Sequence, residues 1–199
     1  MRKINEIFYS IQGEGCHAGI PSVFIRFSGC NFKCEFCDTR HEEGELFTDE
    51  EIIERIKEFP ARWVILTGGE PSLWIDEEFV EKIKNLTGMK VAIETNGSHQ
   101  LPENLDWITV SPKIGVAGAN DYNLNCGIAN ELKVVETGQD LSVYFNLPCV
   151  SPYTRMLLQP CFEDNEEKFR ANIKRTVERV MKDPRWRLSL QTHRFIGIQ

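Results

Sequence analysis

The stretch GCNFKCEFCDTR places Cys30, Cys34 and Cys37 within eight residues. The spacing C-x3-C-x2-C brings three thiols into one short loop. A [4Fe–4S] cluster usually takes four thiolates, so three leave one iron open to an outside ligand. That is the arrangement required when a small molecule must coordinate the cluster and receive an electron from it. Zinc is the structural alternative. His41 follows in the same segment, and Cys30, Cys34, Cys37 and His41 could close a Cys3His site. Three unrelated thiols are a third reading. The remaining cysteines, Cys16, Cys126, Cys149 and Cys161, share no tight spacing and are expected as buried or partly buried thiols.

Composition bounds what surrounds this loop. A chain of 199 residues suits one core of ordinary size, so a single domain over 1–199 is expected. With 41% hydrophobic and 27% charged residues, the chain suits a soluble globular protein rather than a disordered one. It holds no apolar run long enough to span a bilayer and no signal peptide, so a cytoplasmic location without a membrane partner is expected. The net charge of −7 argues against a broad nucleic-acid interface, which needs a clustered basic face. An odd count of seven cysteines disfavours a disulfide framework and favours metal or redox chemistry in a reducing compartment.

The elements that must position the loop alternate strand with helix. SVFIRF (22–27) is a strand running through Ser28-Gly29 into the cysteines. Thr48 and Glu51 form a capping box for a helix within FTDEEIIERIKEF, whose apolar face carries Ile52, Ile53, Ile56 and Phe59. WVILTGGEP is a strand ending in a glycine turn, and IDEEFVEKIKNL a helix capped by Asp76. KVAIETNG, DWITVSPK, ELKVVE and MLLQP are further strands; 163–182 is a charged helix, and RLSLQTH a last strand. Apolar strands joined by crossover helices imply a parallel α/β sheet. Thr67-Gly68-Gly69-Glu70, Glu94-Thr95-Asn96-Gly97, Ser111-Pro112-Lys113 and Gln159-Pro160 each follow a strand, as the cysteines do. In a parallel sheet or barrel such positions gather at the carboxyl edge, so one site built from many loops is expected. The segment 114–130 has no periodicity and receives no assignment.

CNFKCEFC, with Phe36 before its last cysteine, resembles the signature of the radical S-adenosylmethionine (SAM) enzymes, and GGEP at 68–71 resembles that superfamily's second landmark. IFYSIQGEG, VFIRFSGCNFKCEFCDT, LTGGEP, ETNG, SPK, ELKVV, LQP and LQTHR together resemble the 7-carboxy-7-deazaguanine synthase family, in its order and over nearly the whole chain. The resemblance implies an abbreviated, partial (β/α) barrel, a homodimer, and three cofactors: a [4Fe–4S] cluster, SAM and Mg2+. It also implies an electron donor such as flavodoxin. The implied reaction converts the small-molecule pterin 6-carboxy-5,6,7,8-tetrahydropterin to 7-carboxy-7-deazaguanine with loss of ammonia.

Residue roles follow from the same resemblance. Cys30, Cys34 and Cys37 hold the cluster. Gly69 lets the backbone approach the SAM amino group; Ser111, Pro112 and Lys113 take the SAM ribose and carboxylate; Phe36, Cys37 and Asp38 take its adenine side; Gln159 belongs to the same pocket. The substrate's amide–guanidine edge falls to Ile11, Gln12, Gly13 and Glu14, and its carboxylate to Arg26, an unusual residue inside an apolar strand. Thr67, His193 and the terminal Gln199 also face the substrate, and the Thr39 hydroxyl reaches Mg2+. Trp74, Cys16 and Cys161 depart from the family pattern without removing a proposed ligand. Two other classes share part of the pattern. A small radical SAM activase, which sets a glycyl radical on a partner protein, has no reason to carry IQGEG, Arg26 and QTHR together. A non-catalytic zinc-binding or partner-binding module needs only the cysteine loop.

Overall fold

The computed structural model describes residues 1–37, 39 and 43–198; Asp38, His41 and Gln199 lie outside the described residues. Among the described residues nine strands form one sheet: β1 (Arg2–Ile11), β2 (Pro21–Phe27), β3 (Glu45–Phe47), β4 (Trp63–Gly68), β5 (Lys90–Thr95), β6 (Trp107–Val110), β7 (Glu131–Glu136), β8 (Arg155–Pro160) and β9 (Arg187–Leu188). Their order is β3-β1-β2-β4-β5-β6-β7-β8-β9. From β2 to β9 all neighbours are parallel, whereas β1 runs antiparallel to both β2 and β3. With β3 and β9 at opposite ends, the sheet stays open as the expected partial barrel.

The helices form where the capping signals stand. Thr48 accepts from the Glu51 backbone while Glu51 accepts from the Thr48 backbone, which starts α1 (Asp49–Ile56). Asp76 caps α2 (Glu77–Thr87), which stops at Gly88 in the left-handed region. α3 spans Glu166–Lys182 and α4 spans Thr192–Ile196. Ile52, Ile53 and Ile56 of α1 and Phe79, Val80 and Ile83 of α2 are buried against Ile25, Val64, Leu66, Val91 and Ile93 of the sheet. Each such side chain contributes roughly 1.5–3 kcal/mol by leaving water. Buried Arg2 pairs with Asp49 (Nε–Oδ1 2.8 Å) and with Asp76, and lies over the Phe79 ring, so β1 is tied to the first turns of both helices. Glu136 of β7, fully buried, receives Arg179 of α3 at 2.7 Å.

Several regions differ from the sequence expectation, among them β1 and β3, antiparallel strands absent from that expectation. The connections β5–β6 and β6–β7 contain no helix, because 96–106 and 111–130 are rich in Pro, Gly and Asn and carry no apolar stripe to bury. RLSLQTH gives only a two-residue strand; Thr192 and His193 instead begin α4, where Thr192 N bonds to Gly13 O (2.9 Å) and leaves the sheet.

Candidate active site

Alternation along the strands divides the barrel interior into layers. Phe24, Ile65, Ala92 and Trp107 are register partners in successive strands, and the first three are a buried apolar cluster that Phe8 and Trp107 pack against. Two residues further along each strand the same face turns polar: Arg26 pairs in register with Thr67, and Glu94 with Thr109. Lys133 and Gln159 face inward from β7 and β8. These residues line a cleft of about 460 Å³, within the range of small-molecule sites.

The cysteine loop forms one side of the cleft. Cys30, Cys34, Cys37, Phe36 and Thr39 all line it. Burial pushes the Cys30 and Cys34 thiols above their ordinary values, so iron must displace protons to bind there. Among the described residues no three His, Cys, Asp or Glu side chains converge on a single-ion position. Three thiols lining one pocket suit a multi-iron cluster whose irons each take one thiolate. Lys113 reaches toward the loop, its Nζ 2.8 Å from Ser111 O and Oγ and 5.9 Å from the Phe36 ring centroid. Burial lowers its pKa, partly offset by the Cys34 and Glu70 charges.

Two segments brace the loop from outside. Glu70 N donates to Gly29 O (2.9 Å) and Gly69 N to Phe27 O (3.0 Å), so the GGEP turn lies directly on the chain entering Cys30. A Cβ on Gly69 would sit 2.0 Å from Gly29 O, so only glycine permits this approach. The unassigned segment 114–130 supplies the second brace: Lys33 N donates to Gly118 O (3.0 Å) and Glu35 N to Ala117 O (3.1 Å). Tyr122 packs edge-on against Phe32 and donates its hydroxyl to Asn96 O at 2.8 Å.

Glu70, fully buried, organises the ETNG turn. It accepts from Thr95 Oγ1 (2.6 Å), Asn96 N (2.8 Å) and Ser72 N (3.0 Å), and Asn96 in turn donates to Asn31 of the cysteine loop at 2.9 Å. Glu70→Ala strands these donors, at a cost of about 3 kcal/mol. Its expected effect is a fall in Tm of about 6–12 °C, at roughly 2–4 °C per kcal/mol for this size, read by calorimetry. An unchanged Tm would contradict the anchoring role.

The other side of the cleft is an acid–amide cluster. Lys133 Nζ lies 2.8 Å from Glu94 Oε2 and contacts Glu14 Oε2. Gln12 Nε2 donates to Glu94 Oε1 (2.7 Å) and Gln191 Nε2 to Glu14 Oε1 (2.7 Å). Burial alone would raise the Glu14 pKa, but the Lys133 charge and three side-chain hydrogen bonds bring it down to about 2. Burial disfavours the Lys133 cation, yet Glu14, Glu94 and Glu131 hold its pKa well above the ordinary lysine value. Arg26, which also lines the cleft, pairs with Glu6 at 2.6 Å and lies over the Phe8 ring.

The cleft thus brings together Ile11, Gln12, Gly13, Glu14, Arg26 and Thr67 with Gly69, Ser111, Lys113, Gln159 and His193, as well as the cysteines, Phe36 and Thr39. Gly13 packs on the His193 ring, which would lie 2.1 Å from a Cβ there. That contact explains why IQGEG and QTHR occur together. Gln159 accepts from Ser189 at 2.8 Å and lies beside Glu14, so its described partners are on the acid–amide side. Pro112 is buried and does not line the cleft. Asp38 and Gln199 lie outside the described residues. Cys126, Cys149 and Cys161 are buried as expected; Cys16 is exposed, its backbone N on Glu131 Oε2 (2.8 Å), and it does not line the cleft. Trp74 packs on the core and donates to Ser28 O (2.8 Å), away from the cleft. Sequence reasoning gave no role to Glu94 or Lys133. The available signal was a charge inside each of two apolar strands, the same signal that drew attention to Arg26.

Comparison with known proteins agrees with this geometry. The Radical SAM superfamily model matches residues 24–137, more than half of the chain. A 7-carboxy-7-deazaguanine synthase of Bacteroides thetaiotaomicron is 53% identical over 199 residues, covering all of both chains. One of Haemophilus influenzae is 35% identical, over 98% of this chain and 93% of its own. The crystal structure of QueE from Escherichia coli matches with a TM-score of 0.74 at 28% identity, covering 96% of this chain and 94% of that one.

Proposed function

The chain belongs to the 7-carboxy-7-deazaguanine synthase family of the radical SAM superfamily, hence is a radical SAM lyase of 7-deazapurine biosynthesis, and we propose that its cleft converts 6-carboxy-5,6,7,8-tetrahydropterin to 7-carboxy-7-deazaguanine with release of ammonia. The observation that carries this reading is that the cysteine loop and the acid–amide cluster open into one cleft that Arg26 also lines. The family's cofactors are a [4Fe–4S] cluster, SAM and Mg2+. Cluster and SAM, when bound, supply the one-electron cleavage that generates a hydrogen-abstracting radical.

The protein's own groups bind, orient and exclude water. Cys30, Cys34 and Cys37 hold the cluster, while Lys113 and Ser111, already hydrogen-bonded to each other, hold the SAM carboxylate and ribose. Phe36 and the backbone beside Asp38 take the adenine. The Arg26 guanidinium, oriented through Nε by Glu6, receives the substrate carboxylate, which would otherwise be an unpaired anion in the cleft. The Thr39 hydroxyl, with water and substrate oxygens, holds Mg2+. Gln12, Glu14 and Glu94 meet the amide–guanidine edge and so fix the ring in the cleft. Thr67 and His193 close the wall, with the Gln199 terminus as a further contact.

Finer features belong to the same reading. Cys37 is exposed, which leaves the cluster edge accessible to an external electron donor such as flavodoxin. No helix among the described residues is long and apolar enough to cross a membrane; with an odd count of seven cysteines in the sequence, a reducing cytoplasm is the fitting location. We assign the whole chain to one domain and its assembly to a homodimer, in keeping with its family.

The test is an anaerobic incubation of the reconstituted protein with SAM, reductant and 6-carboxytetrahydropterin, read by mass. The expected result is a species lighter by one ammonia, formed with little net consumption of SAM. A protein that cleaves SAM and leaves the pterin untouched would overturn the substrate assignment.

A further inference from the structure

We propose that Lys133 is a positioning residue for substrate recognition: bridging Glu14 and Glu94, it holds two carboxylates side by side as paired acceptors for the amino and N–H donors of the substrate's amide–guanidine edge. The proposal rests on the pterin reading of the cleft.

Lys133 lies on β7 between Leu132 and Val134, both buried in the core, so alternation turns its side chain into the barrel. Only 6% of that side chain is exposed. A lysine so buried is costly unless paired. Its partners come from two distant parts of the chain, Glu14 from the loop after β1 and Glu94 from the end of β5. Each carboxylate is held at both oxygens, Glu14 by Gln191 and Lys133 with Gln159 as a further partner, Glu94 by Gln12 and Lys133. A carboxylate offers about four lone-pair sites, so each of the two keeps at least one for a ligand, and both residues line the cleft. The trio carries one more negative than positive charge, which favours a ligand edge made of donors. A neutral pyrimidine edge with an exocyclic amine and a ring N–H meets that demand.

Without Lys133, two neighbouring carboxylates would face a site of low dielectric, and one would take a proton. It would then present a donor where the substrate also presents donors. Glu14 is held ionised against its burial chiefly by Lys133, so in Lys133→Met only the Gln191 and Gln159 hydrogen bonds oppose its burial, and protonation grows as pH falls. The other charged or titratable groups bearing on the trio are Glu131, Lys113 and His17, with His193 on the same cleft wall against Gly13. All four remain in the variant, so a pH dependence that wild type lacks reports the missing cation.

The experiment measures binding of 6-carboxypterin and of 6-carboxylumazine, whose 2-oxo acceptor replaces the 2-amino donor, to the reconstituted holoenzyme between pH 6 and 8. Wild type is expected to prefer the pterin strongly, with little pH dependence from this site. Lys133→Met should weaken pterin binding about thirtyfold near neutrality, the scale of a lost charge-assisted bond. The loss should deepen toward pH 6 and most of the preference over lumazine should vanish, while Lys133→Arg restores part of it. If Lys133→Met does not fold, the pair Lys133→Met with Glu94→Gln keeps the trio's net charge, and it too should lose the preference. Retention of wild-type preference and pH profile in either variant overturns the role of Lys133. A wild type that cleaves SAM but binds neither compound overturns the pterin reading itself.

Discussion

Cys34→Ala is expected to abolish cluster assembly and turnover together while leaving the fold nearly intact. Cys34 is the middle of three thiols in one loop, is half-buried at the cleft, and makes no contribution to the apolar core. Three thiolates are already fewer than the usual four, so removing one leaves two ligands for a cluster that must also stay open to SAM. Truncation of a side chain at such a position typically costs within about 1 kcal/mol, which shifts Tm by at most about 4 °C in a chain of this size. The measurement is iron content, visible absorption and product formation after identical anaerobic reconstitution, alongside calorimetry. Cys126→Ala is the control: Cys126 is 3% exposed within the main core cluster, so the control should lower Tm and keep its iron. A Cys34→Ala protein that retained both colour and turnover would sink the ligand assignment.

Gly118→Ala should produce the second-largest loss, from a residue that carries no functional group. Gly118 has φ +84°, and a Cβ there would sit 1.8 Å from Lys33 O, a backbone atom that cannot rotate away. An L-residue in that conformation costs roughly 1–2 kcal/mol. Displacing Lys33 also removes the bonds from Lys33 N to Gly118 O and from Glu35 N to Ala117 O, at about 1 kcal/mol each. Both bonds flank Cys34, so the loss falls on the loop that must hold iron. At least a tenfold drop in SAM cleavage is expected, at about 1.4 kcal/mol per decade, with faster loss of iron to a chelator. Gly115→Ala separates strain from collision, since Gly115 has φ +68° and nothing within 4 Å of its Cβ position. It should show the backbone cost without the loss of iron. Equal iron loss in the two variants would mean that 114–130 does not brace the cysteine loop.

The dependence of the cysteine loop on 114–130 shows where sequence reading stopped. A segment without periodicity gives no signal for its partner, because Gly118 is chosen by the approach of Lys33, whose backbone leaves no trace in residue type. Glu70 is similar. The GGEP turn was legible, but that its carboxylate would hold Thr95 and Asn96, and through Asn31 the cysteine loop, required the sheet to align β4 with β5. The helix that replaced the end of RLSLQTH belongs with these: the segment reads as a strand, and docking of Thr192 on Gly13 overrides it.

What the sequence by itself determined was whatever depends on neighbours a few residues apart. The C-x3-C-x2-C spacing, the Thr48–Glu51 capping box, the Asp76 cap and the apolar runs of β2, β4, β5 and β7 act over one turn or one strand, so their spacing survives as a readable pattern. The tertiary structure alone decided which charges share the interior. Lys133 meets Glu94 across 39 positions and Glu14 across 119, and nothing local marks the three as partners. Closure of the parallel strands into a partial barrel turns their alternate side chains onto one axis, and burial there makes the pairing obligatory.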